Sequence, residues 1–219
     1  MPDRFDPATA AGGIVLLVED DAAVRHSLSL LLELHGFRCA EFESAEQFLA
    51  APAEQRPACA LVDIRLPGMS GLALQARMMR QDRAFPVLLM TAQGDAAIAR
   101  TALLQGASDF LEKPIDEKEL LEAVSAALRR DSEQVARNRE IDALLARIGT
   151  LTRREWELFE RITNGCSYRA IAEEFGLTVE ALEVQRVRLM EKLQARRLAD
   201  LFRLRFRVGE HAAGRHVPF

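Results

Sequence analysis

"LVDIRLPGMSG", Leu61 to Gly71, sets an acid at the end of an apolar run. Ala58, Ala60, Leu61, Val62 and Ile64 are residues a chain buries, and Pro67-Gly68 and Gly71 mark a turn. A buried strand should not end in a carboxylate unless something compensates the charge. The question is what stands beside Asp63.

Outward from this stretch, short apolar runs alternate with amphipathic ones. Strands are predicted at Ile14–Val18, Arg38–Phe42, Ala58–Asp63, Pro86–Thr91 and Ser108–Leu111. Between them "DAAVRHSLSLLLELHG", "SAEQFLA", "GLALQARMMRQ" and "DAAIARTALLQG" have helical spacing, and a last helix spans Asp116–Arg130. Such alternation implies an α/β domain, a parallel sheet with helices on both faces. Sheets of this kind keep their ligands at the carboxyl ends of the strands.

Residues 131–148 are polar, with Val135, Ile141, Leu144, Leu145 and Ile148 as the apolar minority, and read as a helical linker. From Leu151 the pattern is all-helical. Thr152 with Glu155 three residues on forms a capping box. A shorter helix ends at Gly176, another starts from Thr178, and "RRLADLFRLRFR" follows.

The 219 residues fit two small domains, and 49% hydrophobic with 28% charged residues excludes wholesale disorder. No apolar string approaches the roughly 20 residues of a membrane helix. "MPDRFDPATAAGG" lacks the regions of a signal peptide and reads as a flexible leader. Cys39, Cys59 and Cys166 are scattered and odd in number, which favours reduced thiols in the cytoplasm over a disulfide framework or a zinc site. Residues 1–130 carry 13 Lys/Arg against 19 Asp/Glu, while residues 151–219 carry 13 against 10. An acidic front and a mildly basic back imply different partners.

Glu19 and Asp20 follow the first strand, Asp63 closes the third, Thr91 closes the fourth, and Lys113 comes just after the fifth. A parallel sheet gathers all of them at one edge. Any one alone is an ordinary loop acid, helix cap or surface lysine, the reading favoured for Glu19 or Asp21 in isolation. Together they form an acidic pocket whose mutual repulsion a hard divalent cation relieves, and Mg²⁺ suits few carboxylates and several waters.

Residues 14–130 resemble the receiver domain of bacterial two-component systems, on Glu19-Asp20, Asp63 in "VDIRLPGMSG", Thr91 in "LLMTA" and "GASDFLEKP" with Lys113-Pro114. The resemblance implies a five-stranded doubly wound, flavodoxin-like fold in which Asp63 accepts a phosphoryl group from a sensor histidine kinase. It implies Mg²⁺ held by Glu19, Asp20, Asp63 and the Arg65 backbone carbonyl. Lys113 would pair with phosphoryl oxygens, Thr91 would bond one of them after transfer, and Phe110 would turn inward as a switch, with ordinary core packing its other reading. The Lys113–Pro114 bond would be cis, against the usual trans preference.

Residues 151–205 resemble the LuxR-type helix-turn-helix, on "LTRREWELFERITNG", "SYRAIAEEFGLTVEALEVQRVRLMEKL" and "ARRLADLFRL". With the receiver this is the pattern of FixJ/NarL-like response regulators. The expected organisation is a leader at 1–13, a receiver at 14–130, a helical linker at 131–150, a four-helix DNA-binding domain at 151–207 and a flexible tail at 208–219. That family commonly has Thr at position 181 and a basic residue or His at 185; Ala181 and Gln185 point to fewer phosphate contacts or a different site.

On a helical wheel Leu182, Leu189 and Leu193 share the packing side, with Glu183, Val184, Val187, Arg188 and Glu191 towards the other. Two valines there need a covering surface, which thymine methyls in a major groove would supply unless the turn buries Val184. Arg186, Arg188 and Lys192 could reach phosphates or bases, and Glu183 could accept from a cytosine amino group. Trp156 and Tyr168 read as packing residues rather than base stackers.

The expectation is a transcription regulator rather than an enzyme, although it could promote its own dephosphorylation. Phosphorylation would favour a homodimer through the receiver's fourth helix, fifth strand and fifth helix, with Arg196–Leu204 a second contact. The rival is a phosphotransfer or protein-interaction receiver whose helical tail no longer binds DNA, and a metal-dependent hydrolase is a third reading of the same acids.

Overall fold

The computed structural model describes residues 13–52, 56–80, 85–92 and 106–212, with side chains as far as Arg207. The chain divides into two compact units, residues 1–136 and 137–219. No helix among the described residues is long and apolar enough to cross a membrane.

The first unit runs β1 (Ile14–Val18), α1 (Ala22–Leu34), β2 (Arg38–Phe42), α2 (Ala45–Ala50), β3 (Ala58–Asp63), α3 (Gly71–Arg80), β4 (Val87–Ala92) and β5 (Asp109–Lys113), then enters α4 (Glu117–Ile148). The five strands are parallel in the order β2-β1-β3-β4-β5. This is the doubly wound order with its switch point between β1 and β3, where such folds bind ligands. The central strands are buried on both faces, so they read as continuous apolar runs. Their period of two still sorts the side chains. Ile14, Leu16 and Val18 pack with Phe48, Leu74 and Met78 on one face, and Val15 and Leu17 with Leu32, Leu120 and Val124 on the other.

Three predicted strands have the bounds expected. β4 starts one residue later, at Val87, because Pro86 has no N–H to give the ladder. β5 carries on to Lys113, where Glu112 pairs with Thr91 and Lys113 with Ala92. It is an edge strand with exposed Asp109 and Glu112, so its charged end does not look like strand in sequence. Asp21 caps α1 by accepting from Ala23 and Val24 N–H, and Ser44 caps α2. The predicted helix "DAAIARTALLQG" lies outside the described residues except for Gly106, as does the leader 1–13 except for Gly13.

The separate last helix and linker are corrected to one helix, α4, because no Gly or Pro interrupts residues 115–148. Within it Asp131 is buried, and it accepts hydrogen bonds from the Arg56 guanidinium and from Ala58 N–H at 2.8 Å. This acid, in a segment whose composition is polar, ties α4 to the start of β3.

The second unit continues from α4 through α5 (Arg153–Thr163), α6 (Tyr168–Phe175), α7 (Val179–Lys192) and α8 (Leu198–Ala212). Thr152 and Glu155 form the predicted capping box, and Ser167 and Thr178 cap α6 and α7. Gly176 ends α6 with φ +65°, the left-handed conformation that glycine adopts freely. Leu158, Phe159, Ile162, Ile171, Leu182, Leu189 and Leu201 fill the core, joined by Leu144 and Ile148 from α4. Helix α8 extends through Ala212, which corrects the tail at its near end; residues 213–219 lie outside the described residues.

Candidate functional site

The carboxyl edge of the sheet gathers the predicted residues. Asp63 ends β3 and is 7% exposed, and Thr91 near the end of β4 and Glu19 just past β1 are buried. Lys113 ends β5 and donates from Nζ to Asp63 Oδ2 at 2.5 Å and to Glu19 Oε2 at 2.7 Å. A carboxylate oxygen from each of Glu19, Asp20 and Asp63 lies within 4.8 Å of the others, with Asp20 exposed. One ammonium therefore faces three acids, and the set keeps an excess of negative charge.

Burial pushes the Glu19 carboxyl above its usual range and the neighbouring Asp63 charge adds to this, while Lys113 opposes both. Burial alone would pull Lys113 down, but its hydrogen bonds to Asp63 and Glu19 outweigh that and hold the ammonium up. The donor set is all carboxylate oxygen with one member open to water, which fits a hard divalent cation such as Mg²⁺.

The segment after Asp63 is shaped around it. Asp63 Oδ1 accepts from Arg65 N–H at 2.8 Å, and Gly71 N–H donates to Ile64 at 3.1 Å. The α2 residue Glu46 accepts from Met69 N–H at 3.0 Å, a support with no signal in the sequence. A Cβ on Gly71 would stand 2.2 Å from the Asp63 carbonyl oxygen, so no larger residue fits without moving the acid's own main chain. Gly71→Ala is expected to destabilise the chain by about 1–3 kcal/mol. Urea unfolding monitored by circular dichroism measures this, and an unchanged midpoint would mean that the turn yields freely.

The Thr91 hydroxyl donates to Ala92 at 3.3 Å. Phe110 on β5 is half-buried and packs against the core on the α2 and α3 face. The Lys113–Pro114 bond is cis, as is Arg56–Pro57. Arg25, which sequence reasoning passed over, covers the β1–α1 junction and donates to the main-chain carbonyls of Glu19 and Asp20. Its sequence signal is a cation in the first turns of a helix, where the dipole disfavours it. Of the cysteines, Cys59 is buried, Cys39 half-buried and Cys166 exposed, all as free thiols. Burial pushes the Cys39 thiol up to about 11, which leaves it little nucleophilic character.

In the second unit Leu182, Leu189 and Leu193 face the core. Glu183, Val184, Val187, Arg188 and Glu191 are exposed, the two valines at 53% and 45%. Val184 is thus not covered by the turn. Arg186 and Lys192 are not on this face. The Arg186 guanidinium lies 5.9 Å from the Tyr168 ring centre, with Glu183 and Met190 as further partners. Lys192 Nζ donates to Glu155 Oε2 at 2.7 Å, and although burial pushes the Glu155 carboxyl up, Lys192 and Thr152 hold it below its usual range. Trp156 stacks at a tilt on Phe159 at 5.4 Å, and it and Tyr168 pack against the core.

Comparison with known proteins covers both units. The response regulator receiver domain matches residues 15–125, and the luxR family of bacterial regulatory proteins matches residues 149–204. The transcriptional regulatory protein FixJ of Bradyrhizobium diazoefficiens is 37% identical over 198 residues, 90% of this chain and 96% of that one. The transcriptional regulatory protein TdiR of Thauera aromatica is 33% identical, over 94% of this chain and 90% of its own. Among solved structures, the response regulator StyR superposes with a TM-score of 0.79 at 34% identity, covering 90% of this chain and 99% of StyR. Full-length FixJ from B. japonicum does so with 0.55 at 36%, covering 91% and 98%. The chain belongs to the response regulators that control transcription, with a receiver domain followed by a LuxR-type domain.

Proposed function

We propose that Asp63 accepts a phosphoryl group from a sensor histidine kinase, and that the modified chain binds DNA as a homodimer in the cytoplasm. The observation that carries this reading is the buried strand-end Asp63 carboxylate, bonded to Lys113 and within 4.8 Å of oxygens from Glu19 and Asp20. An Asp63 oxygen would form its bond to phosphorus as the kinase's phosphorus–nitrogen bond breaks. The imidazole leaves with the electron pair of the broken bond. Glu19, Asp20, Asp63 and the Arg65 carbonyl would hold Mg²⁺, which when bound supplies positive charge to the transferring group.

Lys113 would follow the negative charge from Asp63 to a phosphoryl oxygen, and the Thr91 hydroxyl would turn from Ala92 to donate to another. The space that Thr91 leaves would admit Phe110 and commit β5 to a second packing. The same residues would support slow attack of water on the acyl phosphate, which resets the switch. The receiver would span 14–130 and the DNA-binding domain 151–207.

The inward ties of Arg186 and Lys192 favour a second reading, in which the helical domain contacts protein and DNA binding has been lost.

Mg²⁺ affinity tests the pocket. The wild-type chain is expected to bind Mg²⁺ in calorimetry, and Asp20→Asn to bind at least about tenfold more weakly, since it loses a charged oxygen ligand. Equal affinity in the variant would remove Asp20 from the site.

A further inference from the structure

Arg25 is the fourth residue of α1, a poor place for a cation, because the start of a helix carries the positive end of its dipole. The first turn itself holds no acid, and the N-cap Asp21 carboxylate just before it is engaged by the Ala23 and Val24 N–H groups. Its side chain is nevertheless only 16% exposed. Helical side chains lean towards the N-terminus, and this lean carries the guanidinium back over the β1–α1 junction. Nη1 donates to the Glu19 carbonyl at 2.6 Å and to the Asp20 carbonyl at 3.2 Å. Nε lies 3.5 Å from Glu41 on β2. One side chain thus ties two successive carbonyls to the neighbouring strand.

The two residues held in this way are those whose carboxylates approach each other and Asp63 within 4.8 Å. Their repulsion works to open the junction. Arg25 grips it through the main chain and leaves the carboxylates free to face the pocket.

We infer that Arg25 is a positioning residue of the cation site, fixing the Glu19–Asp20 main chain so that the two carboxylates converge with Asp63 on Mg²⁺. This rests on the Mg²⁺ reading above. It also has a sign that separates it from a plain charge effect. A cation close to the site repels Mg²⁺, so removing it would tighten binding if charge were all that Arg25 contributed. Loss of positioning weakens binding instead.

The test is a calorimetric titration of the full chain with MgCl₂, for wild type, Arg25→Met and Arg25→Lys, each checked by circular dichroism. Arg25→Met is expected to bind about tenfold more weakly. Arg25→Lys should move in the same direction, since an ammonium keeps the charge but lacks the planar fork that reaches two carbonyls and a carboxylate. Saturating Mg²⁺ should restore labelling by acetyl phosphate in both. Unchanged or tighter binding by Arg25→Met overturns the inference. If that variant does not fold, unchanged binding by Arg25→Lys overturns it. A wild-type chain that binds no Mg²⁺ would remove the cation site itself and this inference with it, whereas variants that match a binding wild type would remove this inference alone.

Discussion

Asp63→Asn is expected to abolish labelling of the full chain by acetyl phosphate and Mg²⁺, lowering the rate by on the order of a thousandfold or more. An amide is close in shape to a carboxylate but supplies no anionic oxygen to attack phosphorus. The fold should survive the change. Asn can still accept from Arg65 N–H, which now reaches Asp63 Oδ1 at 2.8 Å. Lys113 keeps its ion pair with Glu19 at 2.7 Å. Intact-protein mass spectrometry reads the increment of one phosphoryl group, and hydroxylamine should remove it from the wild type as it does from an acyl phosphate. A hydroxylamine-sensitive increment persisting in the folded variant would move the assignment to Asp20 or Asp21. Asp21 is the weaker alternative, since its carboxylate is spent on the N-cap of α1, where hydrogen bonds from Val24 and Ala23 hold it below its usual range.

The pocket was legible in sequence because a parallel sheet leaves little freedom. Once β1 and β3 are recognised as strands buried on both faces, everything that follows a strand end lies at the same edge. Where one face of an element is open, the pattern weakens. β5 is such an edge strand, and its Glu112-Lys113 end reads as loop although both residues pair with β4. The continuity of α4 was visible only as the lack of a breaker, and its polar composition argued the other way. A polar segment does not reveal which of its acids is buried, so nothing in the sequence singles out Asp131. Arg186 and Lys192 show a further limit. A helical wheel fixes the angle of a Cα but not where a long side chain goes, and these two fold back onto Tyr168 and Glu155.

That limit sharpens the expectation for DNA. With Arg186 and Lys192 tied inward, the exposed face of α7 presents Val184, Val187 and Arg188, with Glu183 and Glu191 beside them. Exposed valines near the middle of a helix are stable only as a modest apolar patch in water, and a thymine methyl would cover one at little desolvation cost. Val187→Glu is therefore expected to remove sequence-specific binding, because it sets a further acid against a polyanion and leaves the methyl uncovered. Val187→Ser should keep binding but lose preference at one base pair, costing roughly 1–3 kcal/mol there. Arg188→Ala should weaken binding to every sequence and, if its partner is a phosphate, lower the salt slope by about one unit. The measurement is a titration of the full chain, treated with acetyl phosphate and Mg²⁺, against DNA that the wild type selects from a random pool. Substitution of exposed residues leaves the Leu182, Leu189 and Leu193 packing intact, so all three variants should melt with the wild type. Wild-type affinity and base preference in Val187→Glu would take this face out of any DNA interface. A wild-type chain that selects no sequence at all would instead favour the reading in which the helical domain contacts protein.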